Sequence, residues 1–291
     1  MFKGLIILSV AIICAISCKK TAEPANSNQS ANLTTDTSTS TDLSKPPYPV
    51  TVPPECNYAP DYGDSIVFPQ PTNSNDFYVY PVNNQGVQGT YLSWPGGLVL
   101  DPGTGSINLT KSQTGQRYAI GFVKSGTTDT CLASLIVGGA AYMDSVYVLS
   151  ESDTTSKPYF NANPYGPPVC EGTQGQGCKF DYNNAAKNQG IEIDQNTGYI
   201  DLNKTMKKSP FGILPLNGTT VYTTINYQLN DNSNFASQSI QLQMVYYNHK
   251  SDIPASLLAS VTNKLWNALS DLLIGKKSSP RPPLIIIVRS N

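Results

Sequence analysis

The chain has 291 residues and a formal net charge of −1, and only 13% of its residues are charged. A surface that binds nucleic acid needs clustered Lys and Arg, which this composition does not supply. The chain is also rich in Tyr (17), Gly (22) and Pro (22), and a polar, weakly charged composition of this kind is typical of antiparallel β-structure.

The N-terminal segment predicts an exported protein. An apolar run at residues 4–16 follows the positively charged Lys3. The run is shorter than the ~20 residues of a transmembrane helix, but its length is typical of the core of a secretory signal.

Cys18 resembles the lipidated cysteine of bacterial lipoproteins. Ala15 and Ser17 supply the small residues that precede the cysteine in a lipobox. The resemblance implies that residues 1–17 are a signal peptide, that this peptide is removed, and that Cys18 then carries the lipid, as palmitate labelling would detect. Cys14 is a competing candidate for the lipidated cysteine, and an ordinary secretory signal is the other alternative.

Residues 18–50 are predicted to form a disordered tether between the lipid and the folded region. The segment has no apolar period, so it cannot bury enough surface to offset its ordering entropy. About 30 flexible residues have a root-mean-square reach of roughly 30 Å. Lys19 replaces the aspartate that retains lipoproteins in the inner membrane of well-studied Gram-negative bacteria. The lipoprotein resemblance therefore implies the outer membrane, at the cell surface or at the periplasmic face.

The stretches "GLVLDPGTGSINLTK" and "GIEIDQNTGYIDLNK" repeat one another. Their period-2 alternation across a short glycine-containing loop predicts one β-hairpin in each. Asp101 and Asp194 are expected to accept hydrogen bonds from loop amides, and Gly105 and Gly198 are expected to supply a positive φ. Every shared residue has a structural role, so we interpret the hairpins as scaffold rather than as a binding site.

A second similarity extends the repeat, because "YGDSIVF" at Tyr62 is matched by "YMDSVYV" at Tyr142. Each motif is expected to begin a strand. Further strands are predicted at residues 118–123, 132–137, 221–229 and 240–247. The predicted fold is mainly β, with two tandem immunoglobulin-like or cadherin-like β-sandwiches at residues 56–140 and 141–250.

The D-x-x-T-G-x-I hairpin resembles that of immunoglobulin-like and cadherin-like repeats in surface lipoproteins of Bacteroidetes-type bacteria. The resemblance implies a surface lipoprotein. Cadherin-like repeats often bind calcium between domains, so Asp101 and Asp194 are candidate ligands. The clustered acidic residues that would supply six or more oxygens are missing from this sequence. We therefore expect no cofactor.

Four cysteines follow the lipidation site, and an even number in an exported protein predicts disulfides with three possible pairings. We favour Cys170–Cys178 because the Gly-rich insertion between them can close locally, which leaves Cys56 to pair with Cys131. A zinc site would need more closely spaced cysteines or further histidines than the single His249.

Residues 251–291 break the β pattern. Apolar residues at helical spacing, among them Leu257, Val261 and Leu265, predict an amphipathic helix, and the apolar run at residues 284–288 predicts a strand that is covered on both faces. We expect the helix to pack on the second repeat and to shield the strand, which would join a sheet edge. A helix lying on a membrane is the alternative, although its polar face carries little charge.

The sequence contains no clear catalytic motif. A Ser-His-Asp unit would have to be built around His249, which we interpret as a surface or capping residue, and a paired-carboxylate hydrolase is the third alternative. The function expected is non-enzymatic: a structural or protein-binding module of the cell envelope, with no nucleic-acid partner. The alternative is a glycan-binding lipoprotein that uses exposed aromatic side chains, for which the candidates are Tyr78, Tyr80, Trp94, Tyr246 and Tyr247.

Overall fold

The computed structural model describes residues 56–73, 75–94, 96–151, 154–170, 177–261 and 282–290. The described residues are mainly β, with short helices between the strands, which confirms the predicted fold class. The signal peptide, Cys18 and the tether lie outside the described residues. So does most of the predicted C-terminal helix, including Leu265.

The first copy of the repeat forms a four-stranded sheet and a two-stranded sheet. The four-stranded sheet has the order β1-β6-β5-β3, in which β1 runs parallel to β6 and the other pairs are antiparallel, while β2 pairs with β4. The strands are β1 (Ile66–Val67), β2 (Tyr78–Val79), β3 (Gly89–Trp94), β4 (Ile107–Asn108), β5 (Gln116–Lys124) and β6 (Thr130–Val137).

The second copy contains the remaining strands and the short helices. Its main sheet has the order β11-β13-β14-β15-β8, and the pairs β10-β7 and β12-β9 form two small sheets. The elements are β7 (Ala140–Tyr142), β8 (Ser145–Val148), β9 (Thr155–Ser156), β10 (Pro158–Phe160), β11 (Lys179–Phe180), α1 (Ala185–Asn188), β12 (Ile200–Asp201), α2 (Leu202–Lys207), β13 (Thr220–Gln228), β14 (Gln238–His249), the 3-10 helix η1 (Lys250–Asp252) and β15 (Leu284–Ser290).

The two copies share one strand arrangement. The strands β1, β6, β5, β3, β2 and β4 of the first copy correspond to β8, β14, β13, β11, β9 and β12 in the second, and the pairings match except that β15 lies between β8 and β14. The predicted strands at residues 118–123, 132–137, 221–229 and 240–247 are confirmed as β5, β6, β13 and β14. The repeat in the sequence is therefore a repeat of topology, and the assignment of each copy to a separate sandwich stays a prediction.

The expectation that the C-terminal strand joins a sheet edge is wrong. Strand β15 lies inside the sheet, parallel to β14 on one side and parallel to β8 on the other. The edge strand on this side of the sheet is β8 instead, and β11 is the other edge. The prediction that β15 is covered on both faces is confirmed, because every residue of Leu284–Val288 is at most 1% exposed.

The helical residues 255–261 lie on one face of this strand. Val261 and the partly buried Leu257 pack with Leu284, Ile286 and Val288 in one apolar cluster. Burial of these side chains is the main stabilising contribution of the contact, at ~25 cal/mol per Å² of apolar surface. The described part of the helix therefore shields the strand as expected.

Candidate functional site

The repeated hairpins are built around matched aspartates. The Oδ1 atom of Asp101 accepts hydrogen bonds from the backbone N–H groups of Gly103 and Thr104 at 2.9 and 2.7 Å. Asp194 accepts the equivalent bonds from Asn196 and Thr197, both at 2.9 Å. These are Asx turns, in which the side chain holds the loop backbone.

The same hydrogen bonds set the ionisation of both carboxyl groups. Backbone and hydroxyl donors of Thr104 lower the pKa of Asp101. Burial alone would raise the pKa of Asp194, but the hydrogen bonds from Thr197 and Asn196 outweigh it and lower that pKa. Both carboxylates are thus held in the charged form by their own loops.

The hairpin glycines have the expected positive φ and lie against aromatic rings. Gly105 has φ +72° and Gly198 has φ +75°. A Cβ atom on Gly105 would lie 2.7 Å from the ring of Tyr91, and one on Gly198 would lie 2.8 Å from the ring of Phe180. Each glycine therefore serves two purposes, because it permits the turn and leaves room for a packed ring.

A tyrosine joins the two repeated motifs in each copy. The Tyr62 hydroxyl donates to the Gly105 carbonyl at 2.6 Å, and the Tyr142 hydroxyl donates to the Gly198 carbonyl at 2.5 Å. Burial raises the pKa of both hydroxyls well above its ordinary value. The sequence aligned these motifs but gave no sign that they touch.

The hairpin residues that the two copies share are therefore engaged inside the fold. One further shared position fits this pattern: Asn108 and Asp201 accept hydrogen bonds from the N–H groups of Lys111 and Lys204 at 3.1 and 2.9 Å. Each bond holds the first turn after the hairpin. These hydrogen bonds support the interpretation of the hairpins as scaffold, which stays a prediction.

Two disulfides join the four cysteines in the favoured pairs. Cys56 is bonded to Cys131 across 75 positions, and Cys170 is bonded to Cys178 across 8. The first bond ties the beginning of the described chain to β6, and the second closes the insertion of the second copy. Residues 171–176, between the second pair, lie outside the described residues.

His249 is placed at a helix start. Its backbone N–H donates to the Asp252 carboxylate at 3.0 Å, and its Nδ1 atom lies 3.1 Å from the Ser290 hydroxyl. The Asp252 carboxylate therefore caps η1 by accepting from the backbone N–H of His249. Within the described ranges, no group of three or more His, Cys, Asp or Glu side chains could hold a metal ion.

The five candidate aromatic residues do not form one platform. Tyr78 and Tyr80 are 43% and 62% exposed, whereas Tyr246 and Tyr247 are buried and Trp94 is half-buried. The two buried tyrosines face apolar clusters on opposite sides of β14 because successive side chains of a strand alternate. Of these five residues, Tyr78 and Tyr80 are the two that are exposed to a ligand.

A different surface stands out in the structure. The loop between α2 and β13 exposes three aliphatic side chains: Ile213 is 90% exposed, Leu214 is 88% exposed and Leu216 is 75% exposed. Single exposed apolar residues are common, but three within four positions are not expected on a surface without a partner. We call Ile213, Leu214 and Leu216 the aliphatic loop.

The aliphatic loop has a fixed base. Its first turn is closed by a hydrogen bond from the N–H of Gly212 to the carbonyl of Ser209 at 2.9 Å. On the other side, the N–H of Gly218 donates to the carbonyl of Tyr246 at 2.8 Å. The backbone N–H of Asn248 donates to the side chain of Asn217 at 2.7 Å. The three side chains are thus displayed by a loop that β14 holds in place.

Sequence reasoning missed the aliphatic loop. The signal was available in "PFGILPLNG", where aliphatic residues lie among Pro, Gly and Asn without strand or helix periodicity. Such residues have no regular element through which to reach a core. Only the buried Phe211 of this segment does so, where its ring packs against Tyr246 with centroids 5.9 Å apart.

No protein-family profile and no curated protein sequence matches this chain. Among the helices that the structure describes, none is long and apolar enough to cross a membrane.

Proposed function

We propose that this chain is a non-enzymatic outer-membrane lipoprotein, anchored through Cys18, whose folded region is a protein-binding module of the cell envelope. The observation that carries the proposal is the aliphatic loop, since Ile213, Leu214 and Leu216 are 75–90% exposed on a fixed base. The centres of protein interfaces are apolar and tightly packed, which is the environment that these side chains lack in the isolated chain.

The energetics fit a protein partner that covers more than the loop alone. Fully burying three aliphatic side chains contributes roughly 5–9 kcal/mol, while association costs about 4–15 kcal/mol in lost translational and rotational freedom. The fixed base lowers the cost of ordering the loop. Tyr222, which is exposed on β13 just after the loop, offers further contact area to the same partner.

The rest of the folded region would support the aliphatic loop, and the tether would set its distance from the lipid. Two copies of one topology, each with a Tyr–Gly hydrogen bond and one disulfide, form a stiff support for the loop. The tether of residues 18–50 would hold this support roughly 30 Å from the lipid. We assign the two copies to the tandem immunoglobulin-like or cadherin-like repeats of surface lipoproteins on the strength of the D-x-x-T-G-x-I hairpins.

The second candidate function is glycan binding. Tyr78 and Tyr80 point outward at alternate positions and flank the partly buried Val79. Tyr78 lies in β2 and Tyr80 is the first residue after it, and exposed aromatic rings can stack against sugar rings. A glycan array probed with the unlipidated chain and with its Tyr80→Ala variant tests this candidate, which requires binding that the variant loses.

The test of the main proposal is site-specific photo-crosslinking in the producing cell. The photoreactive p-benzoylphenylalanine replaces Leu214 in the full chain, and a matched control carries it at Val99, which is exposed on the first-copy hairpin. We expect one envelope protein to be crosslinked from position 214 and not from position 99. The added substitutions Ile213→Ser and Leu216→Ser should abolish that product.

Two outcomes would overturn the proposal. Crosslinking from position 214 to lipid alone would make the aliphatic loop a membrane contact. Equal products from positions 214 and 99 would show that the loop has no partner of its own.

A further inference from the structure

Strand β15 occupies a gap that has no counterpart in the first copy. In the first copy, β1 pairs directly with β6, with Ile66 opposite Ile136. In the second copy, β15 separates the corresponding strands, so that Ile286 is opposite Val146 on one side and opposite Val245 on the other. The corresponding strands are therefore paired directly in the first copy and separated by β15 in the second.

Apolar side chains of the second copy cover both faces of the strand that fills the gap. Ile285 and Ile287 lie in the large core of the second copy, together with residues of β13 and β14. Leu284, Ile286 and Val288 lie in the cluster on the other face. A strand that fills this gap needs apolar side chains at every position, and the alternating pattern of an ordinary surface strand does not fit it.

The gap also has a defined beginning and end. The carboxylate of Asp144, which is 5% exposed, accepts a hydrogen bond from the N–H of Leu284 at 2.9 Å. At the other end, the N–H of Leu149 donates to the carbonyl of Val288 at 2.8 Å. These bonds fix the register of β15 along β8.

Asp144 belongs to the Y-x-D-S motif that the two copies share. In the first copy the matching residue is Asp64, which is exposed and accepts a hydrogen bond from Ile66 two residues further on, at 3.3 Å. The same motif position thus holds its own strand in the first copy and holds the inserted strand in the second.

We propose that the gap between β8 and β14 is a strand-acceptor site that takes β15 of a second copy of this chain in exchange for its own. The segment from residue 262 to residue 281 connects β15 to the rest of the fold, and 20 extended residues span at most roughly 70 Å. A strand on such a connection reaches an identical gap in a neighbouring chain, and exchange of identical elements forms dimers without new contacts.

This proposal does not depend on the aliphatic loop or on the lipid anchor, because it uses other residues. Tethering many chains to one membrane by any means would favour exchange, since a second strand at high local concentration competes with the strand in cis. The partner is defined by its chemistry as a parallel strand with five consecutive apolar residues.

The first experiment separates β15 from the chain without removing it. A protease site is inserted between Lys277 and Ser278 in the full chain, the folded protein is cut, and a fluorescent peptide of sequence PPLIIIVRS is added. We expect the peptide to displace the cut strand and to bind saturably, with one peptide per chain. A peptide in which Lys replaces the residue equivalent to Ile286 should not bind.

Asp144 and Asp64 provide a matched pair of variants. Asp144→Asn keeps the side-chain shape but weakens a charge-assisted hydrogen bond, so peptide affinity should fall about tenfold. Asp64→Asn, at the same motif position of the first copy, should leave peptide affinity unchanged. Equal affinity in the two variants, or no binding of the peptide to the cut wild-type chain, would overturn the acceptor site.

The second experiment asks whether β15 moves between copies. A photoreactive residue replaces Val288 in one tagged full chain, which is mixed with an untagged wild-type chain and illuminated. Exchange gives a product of twice the chain mass that contains both chains, and Asp144→Asn should increase its yield in the early phase. Products crosslinked only within one chain would overturn the exchange between copies.

Discussion

Replacing Gly198 with Ala should destabilise the protein more than replacing Gly218 with Ala. Both glycines have positive φ, +75° and +81°, so both variants carry a similar backbone strain of about 1–2 kcal/mol. A Cβ atom at Gly198 would lie 2.8 Å from Phe180, whereas one at Gly218 would meet nothing within 4 Å. Phe180 is fully buried, and overpacking a closed core adds about 1–3 kcal/mol.

We therefore expect the free energy of unfolding to fall by roughly 2–5 kcal/mol for Gly198→Ala and by roughly 1–2 kcal/mol for Gly218→Ala. Urea unfolding followed by circular dichroism measures both, with the midpoints compared at unchanged slope. The first copy supplies an independent pair, because a Cβ atom at Gly105 would lie 2.7 Å from Tyr91 and one at Gly126 would meet nothing within 4 Å.

Equal midpoints for Gly198→Ala and Gly218→Ala would refute the packing argument. A sharper contradiction is also open to measurement. If Gly198→Ala unfolded like the wild type and yet lost the crosslink from position 214, the repeated hairpin would be part of a binding site and its assignment as scaffold would be wrong.

Three further predictions concern a buried hydrogen bond, the two disulfides and the lipid anchor. Tyr142→Phe removes the hydrogen bond to the Gly198 carbonyl and leaves a buried acceptor unpaired, so urea unfolding should show a loss of about 1–3 kcal/mol. Removing the disulfide of Cys56 should destabilise by about 4.5 kcal/mol and removing that of Cys170 by about 2.5 kcal/mol, because the longer loop gains more entropy on unfolding; equal losses would contradict this account. Cys18→Ser should abolish palmitate labelling and release the protein from the membrane fraction, and continued labelling would move the anchor to another residue.

The alkaline limit of stability gives the last prediction. Burial raises the pKa of four tyrosine hydroxyls in the folded state above their value of 10.0 in the unfolded chain, so the folded state binds their protons more tightly. The stability they contribute is fully present below about pH 10 and is lost as the pH rises beyond it. The four groups are Tyr62, Tyr118, Tyr142 and Tyr227. Their share of the tyrosinate absorbance should therefore rise only together with loss of circular dichroism. Ionisation of these four groups in a still-folded chain would contradict the assignment.

The sequence was informative where the cause of structure is local. Alternating apolar residues predict β5, β6, β13 and β14 because a strand has a period of two. The hairpin residues could also be assigned from the sequence, since an Asx turn and a positive φ are decided within five positions. The favoured disulfides rest on a similar argument, in which the short loop between Cys170 and Cys178 leaves one pair for the others.

Contacts between residues that are far apart in the chain could not be predicted from the sequence. The hydrogen bond from Tyr62 spans 43 positions and that from Tyr142 spans 56, and no period in a single sequence records such distances. The short helices α1 and α2 were also missed. Four and six residues are too few to show a helical period, and α2 depends on the cap that Asp201 provides.

The position of β15 shows what an apolar run does and does not specify. Five consecutive apolar residues require cover on both faces of a strand, and this part of the prediction held because side-chain burial is a property of the run itself. The neighbours of its backbone are set by Asp144, which lies 140 positions before Leu284. A general rule could nevertheless have argued against the edge, since a long apolar strand with unpaired N–H and C=O groups invites aggregation. The structure places the short, half-buried β8 at the edge instead. The apolar strand β15, which would be prone to aggregate at an edge, is thus paired on both sides.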